Sequence, residues 1–315
     1  MDSSYRSGFV TVIGRPNVGK STLVNRILGT KVTITSPRPN TTRRTVRGVL
    51  HRPGLQAVFV DTPGMHKPRT ALGRRLNDHV GEALDDVDAV IALLDAGSSI
   101  GPGDRLVLSR AAEATAASVA AGGHGGRGAG GAESSRLSGL LVAVNKVDRA
   151  TSAQVLAHLV EAHDIIEGAG GVDLGAQYFP LSAATGTGVE VLVEAVLALL
   201  PEGPPYFPPD MISDVPEAFW VAELVREQLL AHVREELPHS IACRVTEWEW
   251  PRVRIEILVE RDSQKGIVIG EGGTVLKAVG TAVRQQMPPG AFVELHVRVE
   301  RRWQQDADAI ERLGY

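Results

Sequence analysis

The stretch GFVTVIG, residues 8–14, runs straight into GRPNVGKST, and this junction constrains the fold more than any other feature of the chain. A β-branched apolar run of this length reads as a buried strand, and VGKSTLVNRILG after it has helical spacing that Gly29 closes. Gly14, Arg15, Pro16, Asn17, Val18, Gly19, Lys20, Ser21 and Thr22 then form the turn between strand and helix, in the pattern G-x-x-x-x-G-K-S. Glycines let the backbone curl so that N–H groups point at the α- and β-phosphates of a nucleotide, and the helix adds the positive end of its dipole. Lys20 is suited to the β/γ oxygens and the Ser21 hydroxyl to Mg²⁺. A glycine turn with no ligand is the bland reading, and four fixed positions in the required context outweigh it.

The remainder of the first two hundred residues alternates strands with helices. TVRGVLHR and LQAVFVD flank the turn dipeptide Pro53-Gly54 as a hairpin. VDAVIALLD (87–95), GLLVAVN (139–145) and AQYFPLS (176–182) read as further strands. Helical spacing predicts helices over about 70–85, 103–118, 152–167 and 187–200. The class is α/β, a mostly parallel sheet with helices on both faces, with ligands expected at the carboxyl ends of the strands.

Composition sets the domain count. A chain of 315 residues with 43% hydrophobic and 22% charged residues exceeds most single domains, so two are expected. A net charge of −4 excludes a wholesale nucleic-acid coat, so any such contact is local. The one cysteine, Cys243, has no disulfide partner and lies in a strand-like stretch as an inert thiol. The N-terminal residues carry no apolar signal core, and no apolar run reaches about 18 residues, so a cytoplasmic protein is expected.

Two stretches interrupt the pattern. Ala, Gly and Ser dominate 113–138, and the part over about 119–138 reads as a flexible insertion in which His124 and Arg127 sit on a solvated spacer. PEGPPYFPPD is too proline-rich for helix or sheet and reads as a stiff linker. The expected boundaries are a nucleotide-binding domain over 1–200, a linker over 201–212 and a second domain over 213–315.

VNKVD, directly after the strand LLVAV, names the base. The Asp148 carboxylate can accept guanine N1–H and the 2-amino group together, which adenine does not offer. Asn145 would bond the ring edge or tie down the phosphate loop, and the Lys146 stem would lie over the base. LSAATG supplies Ser182 and Ala183 to the base edge. In VFVDTPGM, Asp61 ends a strand where it suits water-mediated Mg²⁺ binding, followed by Thr62, Pro63 and Gly64, whose N–H suits the γ-phosphate. PNTTRRT offers Thr42 as a hydroxyl for Mg²⁺ when the third phosphate is present, and loops released on its loss make a switch.

These five elements in this order resemble the translation-factor-related, Ras-like P-loop GTPases over roughly residues 8–200. The resemblance implies GTP and GDP as ligands, Mg²⁺ at Ser21, Thr42 and Asp61, and hydrolysis served by Lys20, Thr42, Gly64 and Asn17. Met65 stands where many relatives carry a water-orienting glutamine, so slow intrinsic turnover is expected. Relatives with Asn17 coordinate K⁺ beside the phosphates; a simple capping role for Asn17 is the equal alternative. His66 and Lys67 fit either an effector contact or a solvated loop.

Beyond the linker, EAFWVAELVREQLLAHVREEL is an amphipathic helix, HSIACRVTEWEW and RVRIEILVE are strands, KGIVIGEGGTVLKAVGTAVRQQM is a helix pair broken at glycines, and AFVELHVRV is a third strand. This α-β-β-α-α-β order with Gly270, Glu271, Gly272 and Gly273 at the break resembles an α+β type II KH domain, whose glycine corner admits a single-stranded RNA backbone. Joined, the halves resemble the Era-like GTPases with a C-terminal KH domain, through SGFVTVIGRPNVGKSTLVN, DTPGMHKPRTALG and QKGIVIGEGGTVLKAVG. The resemblance implies a monomeric GTP-hydrolysing switch that binds 16S rRNA near its 3′ end and assists rRNA processing and 30S subunit assembly. It implies a cytoplasmic location and allows peripheral association with the inner membrane.

Two features depart from that pattern. Glu271 replaces the usual basic residue of the corner and repels phosphate at close range, and residues 213–315 hold 13 Lys/Arg against 17 Asp/Glu. Lys265, Lys277 and Arg284 still flank the corner and complete the expected RNA site. The alternative is a GTP-gated protein- or membrane-docking module whose KH-like domain no longer binds RNA.

Overall fold

A computed structural model describes residues 5–65, 68, 70–85, 87–120, 139–170, 174–233 and 237–315. Most of the expected insertion, with His124 and Arg127, lies outside the described residues, as do His66 and Lys67. The chain forms two compact units. One comprises Met1–Thr33, Arg44–His66 and Asn77–Asp214, the other Ile34–Arg43, Lys67–Leu76 and Val215–Tyr315.

The first unit is built on six strands, β1 (Arg6–Gly14), β2 (Val46–Arg52), β3 (Leu55–Asp61), β4 (Ala89–Asp95), β5 (Leu140–Asn145) and β6 (Gln177–Pro180), in the order β2-β3-β1-β4-β5-β6. Only β2 runs antiparallel, paired with β3 through the hairpin at Pro53-Gly54. All six residues of β5 and six of the seven in β4 are buried, which is why these strands read as unbroken apolar runs. Register pairs Val12 with Asp61, Gly14 with Leu93 and Asp95 with Asn145, so the chemistry-bearing ends of four strands meet at one edge of the sheet. Helix α1 (Lys20–Leu28) packs on α5 (Val189–Leu199), and α3 (Pro102–Ala120) packs on α4 (Ser152–Gly170). Val107, Leu108 and Ala111 of α3 and Ala162 and Ile166 of α4 share a core with β4 and β5.

The proline-rich stretch is not a free spacer. Glu202 bridges to Arg6 and Ser213 to Gly48, the Ser7 hydroxyl donates to Pro204 O at 2.6 Å, and Gln56 Oε1 accepts from the backbone N–H of Tyr206 and Phe207. Lacking its own partners in helix or sheet, the segment takes them from the edge of the first unit, which extends to Asp214.

The second unit places β7 (Ala242–Glu249), β8 (Arg252–Val259) and β9 (Phe292–Val299) in one sheet, antiparallel then parallel. Helices α6 (Glu217–His232), α8 (Asp262–Ile269) and α9 (Thr274–Arg284) share its core through Leu224, Val225, Leu229, Val268, Val279 and Val283 against Val253, Ile255, Ile257 and Val259. Alternate β8 residues carry charge on the opposite face, where Glu294 meets Arg252 at 2.6 Å and Arg254 at 3.0 Å. The apolar stretch Asp262–Arg284 is broken in its middle by Gly270, with φ 76°, and Gly272, with φ 57°. Two short helices do not appear in the sequence reading, α7 (Leu237–Ser240) and α10 (Ala307–Arg312). The remaining helix, α2 (Ala71–Glu82), contributes Leu72 and Leu76 to a cluster with Trp303, Ile310 and Tyr315.

The segment Ile34–Arg43, with Thr42 in it, is part of this second unit. Ile34 joins the helix-sheet core, and Arg43, 2% exposed, donates to the carbonyls of Ile241 at 2.6 Å and His239 at 2.9 Å. Its guanidinium lies 5.4 Å from the Trp303 ring centre and 5.5 Å from that of Tyr315. Arg226, fully buried, is paired with Glu223 and donates to Thr41 O.

Candidate nucleotide and nucleic-acid sites

The phosphate loop connects β1 to α1 with Asn17 at φ 65° and Gly19 at φ 104°. A Cβ on Gly19 would stand 2.3 Å from Asn145 Nδ2, so close approach as well as backbone angle requires glycine there. Lys20, 6% exposed, donates to Gly14 O at 3.0 Å and Arg15 O at 3.1 Å. Burial is the larger influence on its ammonium and outweighs the opposing attraction of Asp61, lowering its pKa to about 8. A phosphate at this loop would add to the attraction of Asp61 and favour the charged lysine. Arg15 is held away by an ion pair to Asp104 at 2.6 Å.

Asp61 is fully buried at the end of β3, and one of its oxygens, Oδ2, accepts from Ser21 Oγ at 2.8 Å and from Thr33 Oγ1 at 2.9 Å. The Ser21 hydroxyl and the Asp61 carboxylate are hard oxygen donors that fit Mg²⁺, which takes oxygen ligands and keeps its waters. Thr33 supplies the second of these contacts to Asp61; Thr42 is buried within the segment that groups with the second unit. Next along the chain, Thr62 Oγ1 donates to Val12 O and Met65 N–H to Gly14 O, fixing Pro63 and Gly64 between two anchors on β1. The Met65 side chain packs with the α3–α4 core and offers no polar group.

The base site draws on three loops. Asn145 Nδ2 donates to Val18 O at 2.7 Å while its Oδ1 accepts from Ala183 N–H at 2.9 Å, so one side chain ties the phosphate loop to the Ser182-Ala183 turn. The Ser182 hydroxyl, the largest influence on Asp148, holds that exposed carboxyl below the usual range, in the anionic form that accepts guanine N–H groups. Lys146, expected over the base, sends its ammonium to Asn17 O at 2.7 Å and Asp95 Oδ2 at 2.6 Å. Arg26 of α1, unmarked by any motif, donates to Ala183 O at 3.1 Å and to Ala184 O. Its signal was absent because a basic residue one helix away from a loop has no fixed spacing to it.

In the second unit the corner between α8 and α9 is open. A Cβ on Gly272 or Gly273 would meet nothing within 4 Å, which leaves room for a backbone to approach. Lys265, Glu271, Lys277 and Arg284 are exposed. Lys277 and Arg284 share one face of α9, with Thr281 between them accepting from Arg284 at 3.1 Å. That face borders a shallow groove of about 400 Å³ lined by Thr274, Lys277, Ala278, Thr281, Ala282 and Gln285. Buried Cys243 has its thiol pushed well up by burial, as an inert core residue should.

Fold and sites together define the class: a Ras-like P-loop GTPase domain followed by a KH domain. Residues 9–120 match the family model described as 50S ribosome-binding GTPase, and residues 236–304 match the KH domain model. The chain is 41% identical to GTPase Era of Mycobacterium avium (strain 104) over 325 aligned positions, covering 99% of this chain and all of that protein. GTPase Era of Mycobacterium tuberculosis (strain ATCC 25618 / H37Rv) shows the same identity and coverage. Era crystallised with MgGDPNP and nucleotides 1506–1542 of 16S ribosomal RNA superposes with a TM-score of 0.83 at 31% identity, covering 99% of each chain. An Aquifex aeolicus Era variant bound to GDP·AlF4⁻ gives 0.84 at 31% identity, covering 98% of this chain and 99% of that one. The chain belongs to the Era family of GTPases.

Proposed function

We propose that this protein is a GTP-driven switch that binds the 3′ region of 16S rRNA through its KH domain and assists 16S rRNA processing and 30S subunit assembly. One observation carries the reading: a single chain holds both a nucleotide site tied together by Asn145 and an open glycine corner at Gly272-Gly273. The relative of the same architecture binds both ligands at once, MgGDPNP and a 16S segment. Its workplace is the cytoplasm, with peripheral contact to the inner membrane as a second station, and it acts as a monomer.

Each residue has a role in this reading. Lys20 and the loop N–H groups neutralise the phosphates, Ser21 and Asp61 hold Mg²⁺ with Thr42 joining in the GTP state, and Asp148 selects guanine. Bound Mg²⁺ supplies charge neutralisation at the β- and γ-oxygens. Asn17 holds K⁺ in place of an arginine finger, offsetting the missing glutamine at Met65. In the second unit Lys265, Lys277 and Arg284 meet RNA phosphates around Gly270 to Gly273. Glu271 weakens that contact without abolishing it, since exposed charge is screened over about 8 Å at physiological salt.

A second reading draws on exposed Glu271 and the acidic balance of residues 213–315: a domain that docks on protein or membrane instead of RNA. Filter binding of the 16S 3′ segment against a scrambled strand separates the two. Selective retention supports RNA; equal, weak retention of both strands supports docking.

A further inference from the structure

We propose that Thr33 is a positioning residue for the magnesium site, locked in place by Asn25 and acting through Asp61. The inference rests on the nucleotide-site reading above. Ser21 and Asn25 are four residues apart on α1 and therefore share one face of it. Ser21 Oγ donates to Asp61 Oδ2 at 2.8 Å. Asn25 grips the returning chain at three points: its Oδ1 accepts from Val32 N–H at 2.9 Å and Thr33 N–H at 3.2 Å, and its Nδ2 donates to Thr33 O at 2.8 Å. With that backbone fixed, the Thr33 hydroxyl reaches the same Asp61 oxygen at 2.9 Å.

Thr33 is 3% exposed and Asp61 fully buried, so water does not substitute easily for this donor. Ser21 has two tasks, since its hydroxyl oxygen is wanted by the metal while its hydrogen points at Asp61. Thr33 has one, and it holds the carboxylate in orientation whichever way Ser21 turns. Thr33 is also the last residue before Ile34, where the chain leaves the first unit.

The test is dissociation of N-methylanthraniloyl-GDP from the full-length protein, chased with excess GDP, over a Mg²⁺ titration that begins in EDTA. Wild type is expected to release nucleotide more slowly as Mg²⁺ rises. Thr33→Val keeps the shape and removes the donor. It is expected to raise the Mg²⁺ midpoint about tenfold, the scale of one charge-assisted hydrogen bond, with the rate in EDTA unchanged. Thr33→Ser restores the wild-type midpoint. Asn25→Ala leaves every carboxylate contact chemically intact and moves the midpoint the same way by a smaller factor. An unmoved midpoint in both variants overturns the proposal, as does an equal rise in rate with and without Mg²⁺, which marks general loosening. A wild type that binds the probe but ignores Mg²⁺ removes the magnesium reading and this inference with it. One that does not bind the probe removes the nucleotide site itself.

Discussion

The side-chain amide of Asn145 donates to the carbonyl of Val18 at 2.7 Å, joining residues 127 positions apart in sequence. Its other end accepts from Ala183 N–H, so the base-recognition loops and the phosphate loop are one hydrogen-bonded body. Such preorganisation reduces the ordering that binding must impose. Asn145→Ala is expected to weaken GDP binding about tenfold to a hundredfold, as loss of two buried hydrogen bonds implies. Fluorescence titration with a labelled GDP checks this, and unchanged affinity would remove Asn145 from the site.

Base choice rests on Asp148. Asp148→Asn presents an amide where guanine offers donors and xanthine an acceptor, so preference is expected to move from GDP to XDP, with GDP affinity down about a hundredfold or more. Competition between the two nucleotides on one preparation reads the switch directly.

Lys20 makes nucleotide binding pH-dependent. Its pKa in the folded chain is lowered to about 8 by burial, against 10.5 for the free side chain, so between those values the unfolded chain holds more protons than the folded one. Stability of the nucleotide-free protein is therefore expected to rise with pH across that window. A bound phosphate restores the charged lysine, so binding takes up about three quarters of a proton at pH 8.5 and little at pH 7. Calorimetry of GDP binding in buffers of different ionisation enthalpy measures that uptake; equal uptake at both pH values would contradict it.

Arg43 is expected to be structural in the second unit. Buried beside Trp303 and Tyr315 and bonded to the carbonyls of Ile241 and His239, it leaves acceptors stranded when removed. Arg43→Met is expected to cost about 3 kcal/mol by urea denaturation, the scale of a lost buried charged network.

The ligand-facing parts of this chain were legible because each depends on local spacing. Glycines, Lys20 and Ser21 must be contiguous to wrap a phosphate, and the strand ends that carry Asp61 and Asn145 are apolar runs with polar stops. The KH corner showed itself as a helical pattern broken at Gly270 and Gly273. Thr33 escaped notice because its partner is 28 residues away and a buried threonine in KVTIT looks like any strand residue. Residues 201–212 read as a stiff linker since proline content excludes helix and sheet but does not reveal that Gln56 and Ser7 bind the stretch. Trp303, Tyr315 and α10 form around Arg43, a long-range contact without local signature.

Potassium is the next variable. With Met65 unable to orient water, hydrolysis is expected to run faster in K⁺ than in Na⁺, and Asn17→Ala to abolish the difference. Phosphate release measured in matched chloride buffers decides it, and equal rates for wild type exclude the ion.

Equilibrium binding of labelled single-stranded RNA copied from the 16S 3′ end, with a scrambled control, in GDP and in a non-hydrolysable GTP analogue, tests the GTP-gated RNA clamp most directly. Gly272→Asp belongs beside wild type, because the space there is open and aspartate is among the few side chains that visit the left-handed backbone, at some strain, and its carboxylate would face phosphate. Glu271→Lys completes the set. Selective binding that is tighter with the GTP analogue, lost in Gly272→Asp and strengthened in Glu271→Lys, is the expected result. No selectivity in either nucleotide state would contradict it and leave the glycine corner as a turn between two helices.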